Sequence, residues 1–204
     1  MIEAFGDSKS LSTNDLALRR FTVDEYHALG SAGVLGDDRV ELLEGLLVMM
    51  SPINPPHAYL VGQIHEKLLA SLSATLVIRA QQPVTFDSSE PQPDIAVARG
   101  KKGRYLKRHP WPRDIELVIE VADTTLRADR LKASLYGRAG IPHYWIVNVA
   151  ARQLEVFCDL KSPRGKSSLE YQSRTIHKPR DQIAFMLAGD NDTLAVKDLF
   201  FTSA

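Results

Sequence analysis

The apolar residues of this chain recur with two different spacings, and the spacing separates helices from strands. In the first third of the chain they return at steps of three and four residues, which places them on one helix face. These residues are Leu60, Val61, Ile64, Leu68 and Leu72. They predict a helix from His57 to about Leu76. A shorter helix, ending at about Leu29, is predicted by the capping box Thr22-x-x-Glu25.

Short, mostly apolar runs predict buried strands. In chain order they are Leu76–Ala80, Pro83–Phe86, Asp94–Ala98, Ile115–Val121, His143–Val149, Leu154–Cys158 and Ile183–Leu187. The segment Arg39–Met50 is two apolar runs divided at Glu44-Gly45. It predicts a β-hairpin in which the glycine supplies a positive φ.

A β-α-β unit sets the fold class. The strand Ile115–Val121 is followed by a helical pattern over Leu126–Ala139 and then by the strand His143–Val149. A crossover of this kind makes the two strands parallel neighbours. The chain is therefore predicted to be an α/β protein with a mixed sheet. Residues 1–20 are polar and are expected to form a flexible leader, and 21–204 are expected to form a single domain.

Composition and charge exclude several classes of protein. The chain has 204 residues, of which 44% are hydrophobic and 25% charged, and its formal net charge is zero. Bulk charge therefore gives no argument for a nucleic-acid partner. Cys158 is the only cysteine, which excludes an intramolecular disulfide and favours a reducing, cytoplasmic compartment. No apolar run approaches the roughly 20 residues of a membrane span.

Asp94 and Glu120 are carboxylates in segments that are otherwise apolar and strand-like. An ionised carboxylate is costly to bury unless it is paired or binds a metal. Two such acids on neighbouring strands, with a lysine nearby, indicate a divalent-metal hydrolytic site. The alternatives are an ordinary strand-start aspartate after Pro93, and a buried salt bridge from Glu120 to Arg130 or Lys132.

Lys132 is the candidate lysine. Asp129, Lys132 and Tyr136 are three and four residues apart and therefore share one face of the predicted helix. Lys132 can then point at the sheet while Leu131 and Leu135 pack. A lysine at this place orients a nucleophilic water or stabilises the charge that develops on a phosphoryl group. The alternative is a helical lysine that faces solvent.

An ordered set of motifs over about residues 21–158 carries a resemblance to a known family. In chain order the motifs are Val40-Glu41-Leu42-Leu43-Glu44-Gly45, His57, Pro93-Asp94, Glu120-Val121-Ala122-Asp123-Thr124-Thr125, Asp129-Arg130-x-Lys132 and Tyr136-x-x-Ala139-Gly140-Ile141-Pro142-x-Tyr144-Trp145. The chain resembles the "putative restriction endonuclease" family of the PD-(D/E)XK nuclease superfamily. Pro-Asp alone is a weak motif, whereas the ordered set is specific.

The resemblance implies a restriction-endonuclease-like mixed β-sheet flanked by α-helices, with a Mg²⁺ site in which Mn²⁺ can substitute. It matches Asp94 to the aspartate of the Pro-Asp motif and Glu120 to the second acid. The superfamily pattern has a lysine two residues after the second acid, where this chain has Ala122. In this family the lysine has moved to the next helix, which here means Lys132.

Two positions admit alternatives. Glu41 and Glu44 compete for the role of an upstream acid that assists metal binding. Glu41 is favoured because it lies within an apolar strand, whereas a turn role suffices for Glu44 before Gly45. His57 is either an ordinary first residue of a helix or a contact to the substrate or to a metal ligand.

The segment from Arg99 to Arg113 carries only basic charges, with Tyr105 and Trp111 among them. The charged residues are Arg99, Lys101, Lys102, Arg104, Lys107, Arg108 and Arg113. One interpretation is a loop along a phosphate backbone, with the aromatic rings stacked on bases. The other is a solvated loop.

The leading hypothesis is a Mg²⁺-dependent endonuclease that hydrolyses DNA phosphodiester bonds. Asp94, Glu120 and Glu41 hold the metal, and Lys132 acts with the first two in catalysis. RNA is an alternative substrate, and a homodimer is expected because cutting both strands needs two sites. The rival is a catalytically inactive module on a nuclease scaffold that binds nucleic acid or a partner. Zero net charge and Ala122 favour the rival, and a buried Glu120 argues against it.

Overall fold

The computed structural model describes residues 18–201 except Lys166, with only the backbone of Lys102. Most of the predicted leader therefore lies outside the described residues. The α-helices are α1 (Val23–Ser31), α2 (Pro55–Ser71) and α3 (Leu126–Arg138). The strands are β1 (Val40–Leu43), β2 (Leu46–Met49), β3 (Leu76–Ala80), β4 (Ile95–Arg99), β5 (Ile115–Ala122), β6 (His143–Asn148), β7 (Gln153–Lys161), β8 (Glu170–His177), β9 (Gln182–Leu187) and β10 (Asp190–Ala195).

A six-stranded sheet in the order β3-β4-β5-β6-β7-β8 organises the molecule. Its strands pair antiparallel except β5 and β6, which are parallel. Because α3 connects this parallel pair, the predicted β-α-β unit and the mixed sheet flanked by helices are confirmed. The strands β1 and β2 form one separate hairpin, and β9 and β10 form another. In the described part of the chain, no helix is both long enough and apolar enough to cross a bilayer.

The strand β5 is buried along all 8 of its residues and lies between two apolar cores. Its side chains alternate between the faces of the sheet. Leu117, Ile119 and Val121 belong to the core formed with α2 and the β9–β10 hairpin. Val118 belongs to the core on the other face, which is formed with α3. Alternation therefore directs Glu120 towards α3.

The predicted strand over Pro83–Phe86 is wrong. In the structure this segment folds back on the residues that follow it: the Val84 N–H donates to the Pro91 carbonyl, and the Phe86 N–H donates to the Ser89 carbonyl. The Thr85 N–H donates to the Pro110 carbonyl, so the N–H groups of this apolar segment bond to loop residues and not to a strand of the sheet.

The end of one helix and the presence of two strands also differ from the prediction. The helix α2 stops at Ser71 because Leu72 is extended, with ψ of 147°. The predicted strand over Ile183–Leu187 is confirmed as β9, whereas β8 and β10 were not predicted. Both of these strands are rich in polar residues and largely exposed, so apolar periodicity gives little signal for them.

The β1–β2 hairpin turns at Glu44 and Gly45, which have φ values of 50° and 78°. The predicted positive φ at Gly45 is confirmed. A Cβ atom at this position would also lie 2.6 Å from the Arg20 Cβ, so the glycine is required for space as well as for conformation. The turn fixes the register of β1 and with it the inward orientation of Glu41, which is buried.

Candidate active site

Asp94 and Glu120 lie side by side where the start of β4 meets the end of β5. Because Ile95 pairs with Ile119, the residue before β4 stands opposite Glu120 of β5. The Asp94 N–H donates to Glu120 Oε2 at 3.1 Å, and the Val121 N–H donates to Asp94 Oδ2 at 2.8 Å. The backbone of each strand therefore holds the carboxylate of the other.

Lys132 reaches these acids from α3. Its Nζ atom lies 3.2 Å from Glu120 Oε1 and 2.9 Å from Glu41 Oε1. The side chain is only 14% exposed, so it does not face solvent. Leu131 was expected to pack together with Leu135. Leu131 is instead 71% exposed, so this expectation is wrong.

The two upstream glutamates occupy different places. Glu41 is buried in β1, where its Oε1 binds Lys132 and its Oε2 accepts the Gln92 N–H at 3.1 Å. Glu44 is exposed at the hairpin turn and forms an ion pair with Arg138 of α3. The structure thus brings Glu41 to Glu120 and leaves Glu44 at the rim.

His57 combines both interpretations that the sequence left open. Its backbone N–H donates to the Asn54 side chain, which caps the N-terminus of α2. Its Nε2 donates to Asp94 Oδ2 at 3.0 Å, and this hydrogen bond raises the pKa of His57 above its ordinary value. His57 and the Val121 N–H therefore hold the same oxygen of Asp94, Oδ2.

Two further residues of α3 were not assigned a role from the sequence. The Tyr136 hydroxyl donates to Glu120 Oε1 at 3.1 Å. Asp129 is buried nearby, and its Oδ2 accepts the Thr125 hydroxyl at 2.6 Å. By their spacing, both residues share the helix face of Lys132. The sequence therefore indicated that they lie near Lys132, but it gave no chemical reason to assign them a role.

The electrostatics of the site follow from one buried ammonium among several carboxylates. Burial raises the pKa of Glu120 above its ordinary value; Lys132 opposes the shift, and the neighbouring acids reinforce it. Burial also raises the pKa of Asp129. Burial alone would lower the pKa of Lys132, but the charges of Glu120 and Glu41 outweigh it and raise that pKa, so Lys132 is a cation. The negative charge of the carboxylates around Lys132 is therefore larger than its single positive charge.

The comparisons with known proteins agree with this architecture. A family model described as "Uma2: Putative restriction endonuclease" matches residues 23–195. The chain belongs to the Uma2 family. The crystal structure of a protein from Anabaena variabilis ATCC 29413, titled a putative nuclease belonging to DUF820, superposes with a TM-score of 0.67 at 14% identity. The superposition covers 88% of this Uma2 chain and 97% of that protein, and shows a shared fold. No curated protein matches.

The acids of this Uma2 protein fit one mode of metal binding. Among the described residues, no group of three or more His, Cys, Asp or Glu side chains is arranged to hold a metal. Mg²⁺, however, is commonly held by one or two carboxylates, with water and substrate phosphate as its other ligands. Asp94 and Glu120 offer only oxygen atoms, which suit Mg²⁺ or Mn²⁺. The under-compensated negative charge around Lys132 favours a further cation here.

The basic loop of the Uma2 chain lies away from these acids. Arg104 and Arg108 both bind the buried carboxylate of Asp114, at 2.8 and 2.9 Å. Arg99 forms an ion pair with Glu116. Glu116 and Glu120 are four residues apart on β5, so the loop and the site are separated by about 13 Å of strand. Several of its charges therefore attach the loop to the sheet.

Proposed function

We propose that this chain is a divalent-metal-dependent endonuclease that hydrolyses the phosphodiester bonds of DNA. One observation carries the proposal: Lys132 Nζ lies 3.2 Å from Glu120 Oε1, and the Glu120 carboxylate is in turn hydrogen-bonded to the Asp94 backbone. Two acids can hold a metal that assists phosphodiester hydrolysis, and a lysine beside them supplies a fixed positive charge. Membership of the Uma2 family supports a nuclease.

Asp94 and Glu120 would hold the metal, and Glu41 would assist directly or through water. A bound Mg²⁺ supplies an acidified water and neutralises charge on the scissile phosphate. The protein prepares the two acids before any substrate binds: the Val121 N–H and His57 fix Asp94, and Tyr136 fixes Glu120.

Lys132 is the proposed electrostatic catalyst. Because Glu120 and Glu41 raise its pKa, its ammonium remains charged at neutral pH. A fixed positive charge inside a largely buried site stabilises the negative charge that develops on the phosphoryl oxygens as water attacks phosphorus and the bond to the leaving oxygen breaks. Water is the nucleophile, so no covalent intermediate with the protein is needed.

The test is a cleavage assay on supercoiled and linear DNA with Mg²⁺ or Mn²⁺. We expect the wild-type protein to cut at least one of these forms and Glu120→Gln to cut neither. An RNA of the same sequence, assayed in parallel, determines whether the substrate class extends beyond DNA. Sedimentation at the assay concentration tests the proposed homodimer. If the pure protein binds DNA but cuts nothing with either ion, the chain is a binding module on a nuclease scaffold.

A further inference from the structure

The acids lie at the floor of a cleft whose walls carry exposed apolar side chains. The cleft has a volume of about 510 Å³ and lies between the β1–β2 hairpin, the start of α2, and α3. Met49, Ile53 and Leu131 line it, and they are 63%, 41% and 71% exposed. Large apolar side chains grouped around a polar floor mark a binding surface more often than chance.

The charges of the cleft do not suit a long run of phosphates, whether of one strand or of two. Six carboxylates line it but only three cations: Arg39, Lys132 and Arg138. Lys132 is paired with Glu41 and Glu120, and Arg138 is paired with Glu44. Proteins that follow a duplex neutralise several phosphates with lysine and arginine. Among the described residues, Arg39 is the one cation lining the cleft that has no carboxylate partner.

We propose that the cleft binds an unpaired base of the substrate strand beside the scissile phosphate. This inference rests on the proposed nuclease function and narrows its substrate class. In a paired duplex the faces of the bases are covered by their neighbours, so the apolar walls can reach them only if the stack is opened, which costs free energy. An unpaired base exposes both faces, and apolar side chains such as leucine, isoleucine and methionine pack against them.

The unpaired base has two possible sources, a single strand or a nucleotide extruded from a duplex. Three labelled DNA molecules distinguish them: a single strand, its perfect duplex, and that duplex with one unpaired central nucleotide. Fluorescence anisotropy in EDTA measures binding without cleavage, and the acids then repel all three molecules. We expect the single strand to bind about tenfold more tightly than the perfect duplex, as burial of one base against aliphatic side chains allows. Equally tight binding of the bulged duplex would add extruded nucleotides to the substrate class.

A matched pair of leucine variants tests the wall itself. Leu131 lies in the cleft, whereas Leu106 is 85% exposed in the loop at the far end of the sheet. Both side chains are exposed, so their removal leaves the fold intact. We expect Leu131→Ala, which removes apolar area that the base would bury, to weaken single-strand binding about fivefold or more and to leave perfect-duplex binding unchanged. Leu106→Ala should change neither.

Three outcomes overturn the inference: the perfect duplex binds as tightly as the unpaired molecules, Leu131→Ala behaves like Leu106→Ala, or none of the molecules binds. The proposed function fails differently. If the preference for unpaired DNA is present but no molecule is cut with Mn²⁺, the cleft binds bases without nuclease chemistry. If all molecules are cut without preference, the nuclease stands and the base-binding cleft does not.

Discussion

Glu120 and Glu155 occupy equivalent places in the sheet and differ in how their charge is compensated. Glu120 of β5 pairs with Ile146 of β6, and Ile146 pairs with Glu155 of β7. The two glutamates therefore lie in one row and point to the same face of the sheet. Both are buried, and each receives a cation from α3: Lys132 for Glu120 and Arg130 for Glu155.

The compensation is complete at one glutamate and incomplete at the other. Arg130 binds both oxygens of Glu155, at 2.5 and 3.1 Å, and Arg174 adds a third contact at 2.9 Å. Burial alone would raise the pKa of Glu155, but the two arginines outweigh it and hold that pKa below its ordinary value. Burial raises the pKa of Glu120, and the one ammonium beside it, which it shares with Glu41, does not offset that shift.

A buried acid is therefore not by itself a sign of function, whereas an under-compensated one is. Glu155 has what a structural acid requires, two guanidiniums in fixed geometry. Glu120 lies with other acids around one flexible lysine in an open cleft, an arrangement that costs stability until a cation arrives. Four predictions test this difference, from the largest expected effect to the smallest.

Replacing each glutamate by glutamine should separate binding from stability. Glu120→Gln, like Asp94→Asn, should abolish Mn²⁺ binding in calorimetric titration, because a metal ligand is lost. The free energy of unfolding should stay unchanged or rise, since Lys132 keeps Glu41 at 2.9 Å. Glu155→Gln should retain metal binding and lose about 1–3 kcal/mol of stability as the arginine bonds weaken. Undiminished Mn²⁺ binding in both site variants would refute the metal assignment.

Removing the two cations of α3 should affect different measurements. Lys132→Met keeps the length of the side chain and removes its charge. It should lower the cleavage rate by a factor on the order of 10²–10³, as for the loss of one preorganised donor, and leave Mn²⁺ affinity nearly unchanged. Arg130→Met is the matched control on the same helix. It should lower the melting temperature and retain the wild-type rate per folded molecule. Equal rates for the two variants would exclude an electrostatic role for Lys132.

His57 should have an intermediate effect, because it acts on a metal ligand and not on the metal. His57→Ala removes one of the two hydrogen bonds that Asp94 Oδ2 accepts and leaves that from the Val121 N–H, and should weaken Mn²⁺ binding about 10- to 100-fold. His65→Ala on the same helix is the control, since the structure shows no contact from His65 to Asp94 or Glu120. A His57→Ala affinity equal to that of the control would limit His57 to a structural role in α2.

The fold was predictable where apolar residues recur in a clear pattern. It was unpredictable where hydrogen bonds to a neighbouring strand determine the structure. The run Ile115–Val121 is buried on both faces, so its apolar pattern identified β5 and, with α3, the parallel neighbour β6. The strands β8 and β10 are defined by hydrogen bonds to a partner strand, and their polar side chains carry no such period. Pro83–Phe86 shows the reverse error, an apolar segment that is buried without being a strand.

The site was predictable in its acids and not in its surroundings. Asp94 and Glu120 stood out as charges in apolar segments, and helical spacing brought Lys132 to their face. The hydrogen bond from His57 and the exposure of Leu131 depend on how α2 and α3 lie on the sheet. The basic loop admitted two interpretations because its partners, Asp114 and Glu116, follow it in the sequence, and the sequence alone does not show that they neutralise several of its charges.

The smallest effect expected is a pH dependence of stability at Glu155. Its folded-state pKa lies below the ordinary value, so the unfolded chain takes up its proton first as pH falls. The stabilisation by Glu155 is therefore complete above the unfolded-state pKa of about 4.3 and is lost as pH drops through the lower folded-state pKa. We expect this stabilisation to amount to about 1 kcal/mol, since both arginines are partly exposed and screened by solvent.

Denaturant unfolding of wild type and Glu155→Gln at pH 7 and at successively lower pH measures this stabilisation. The difference between the two proteins should shrink below about pH 4. A difference that stays constant, or grows as pH falls, would mean that the arginines do not lower the pKa of Glu155, and the contrast with Glu120 would fail.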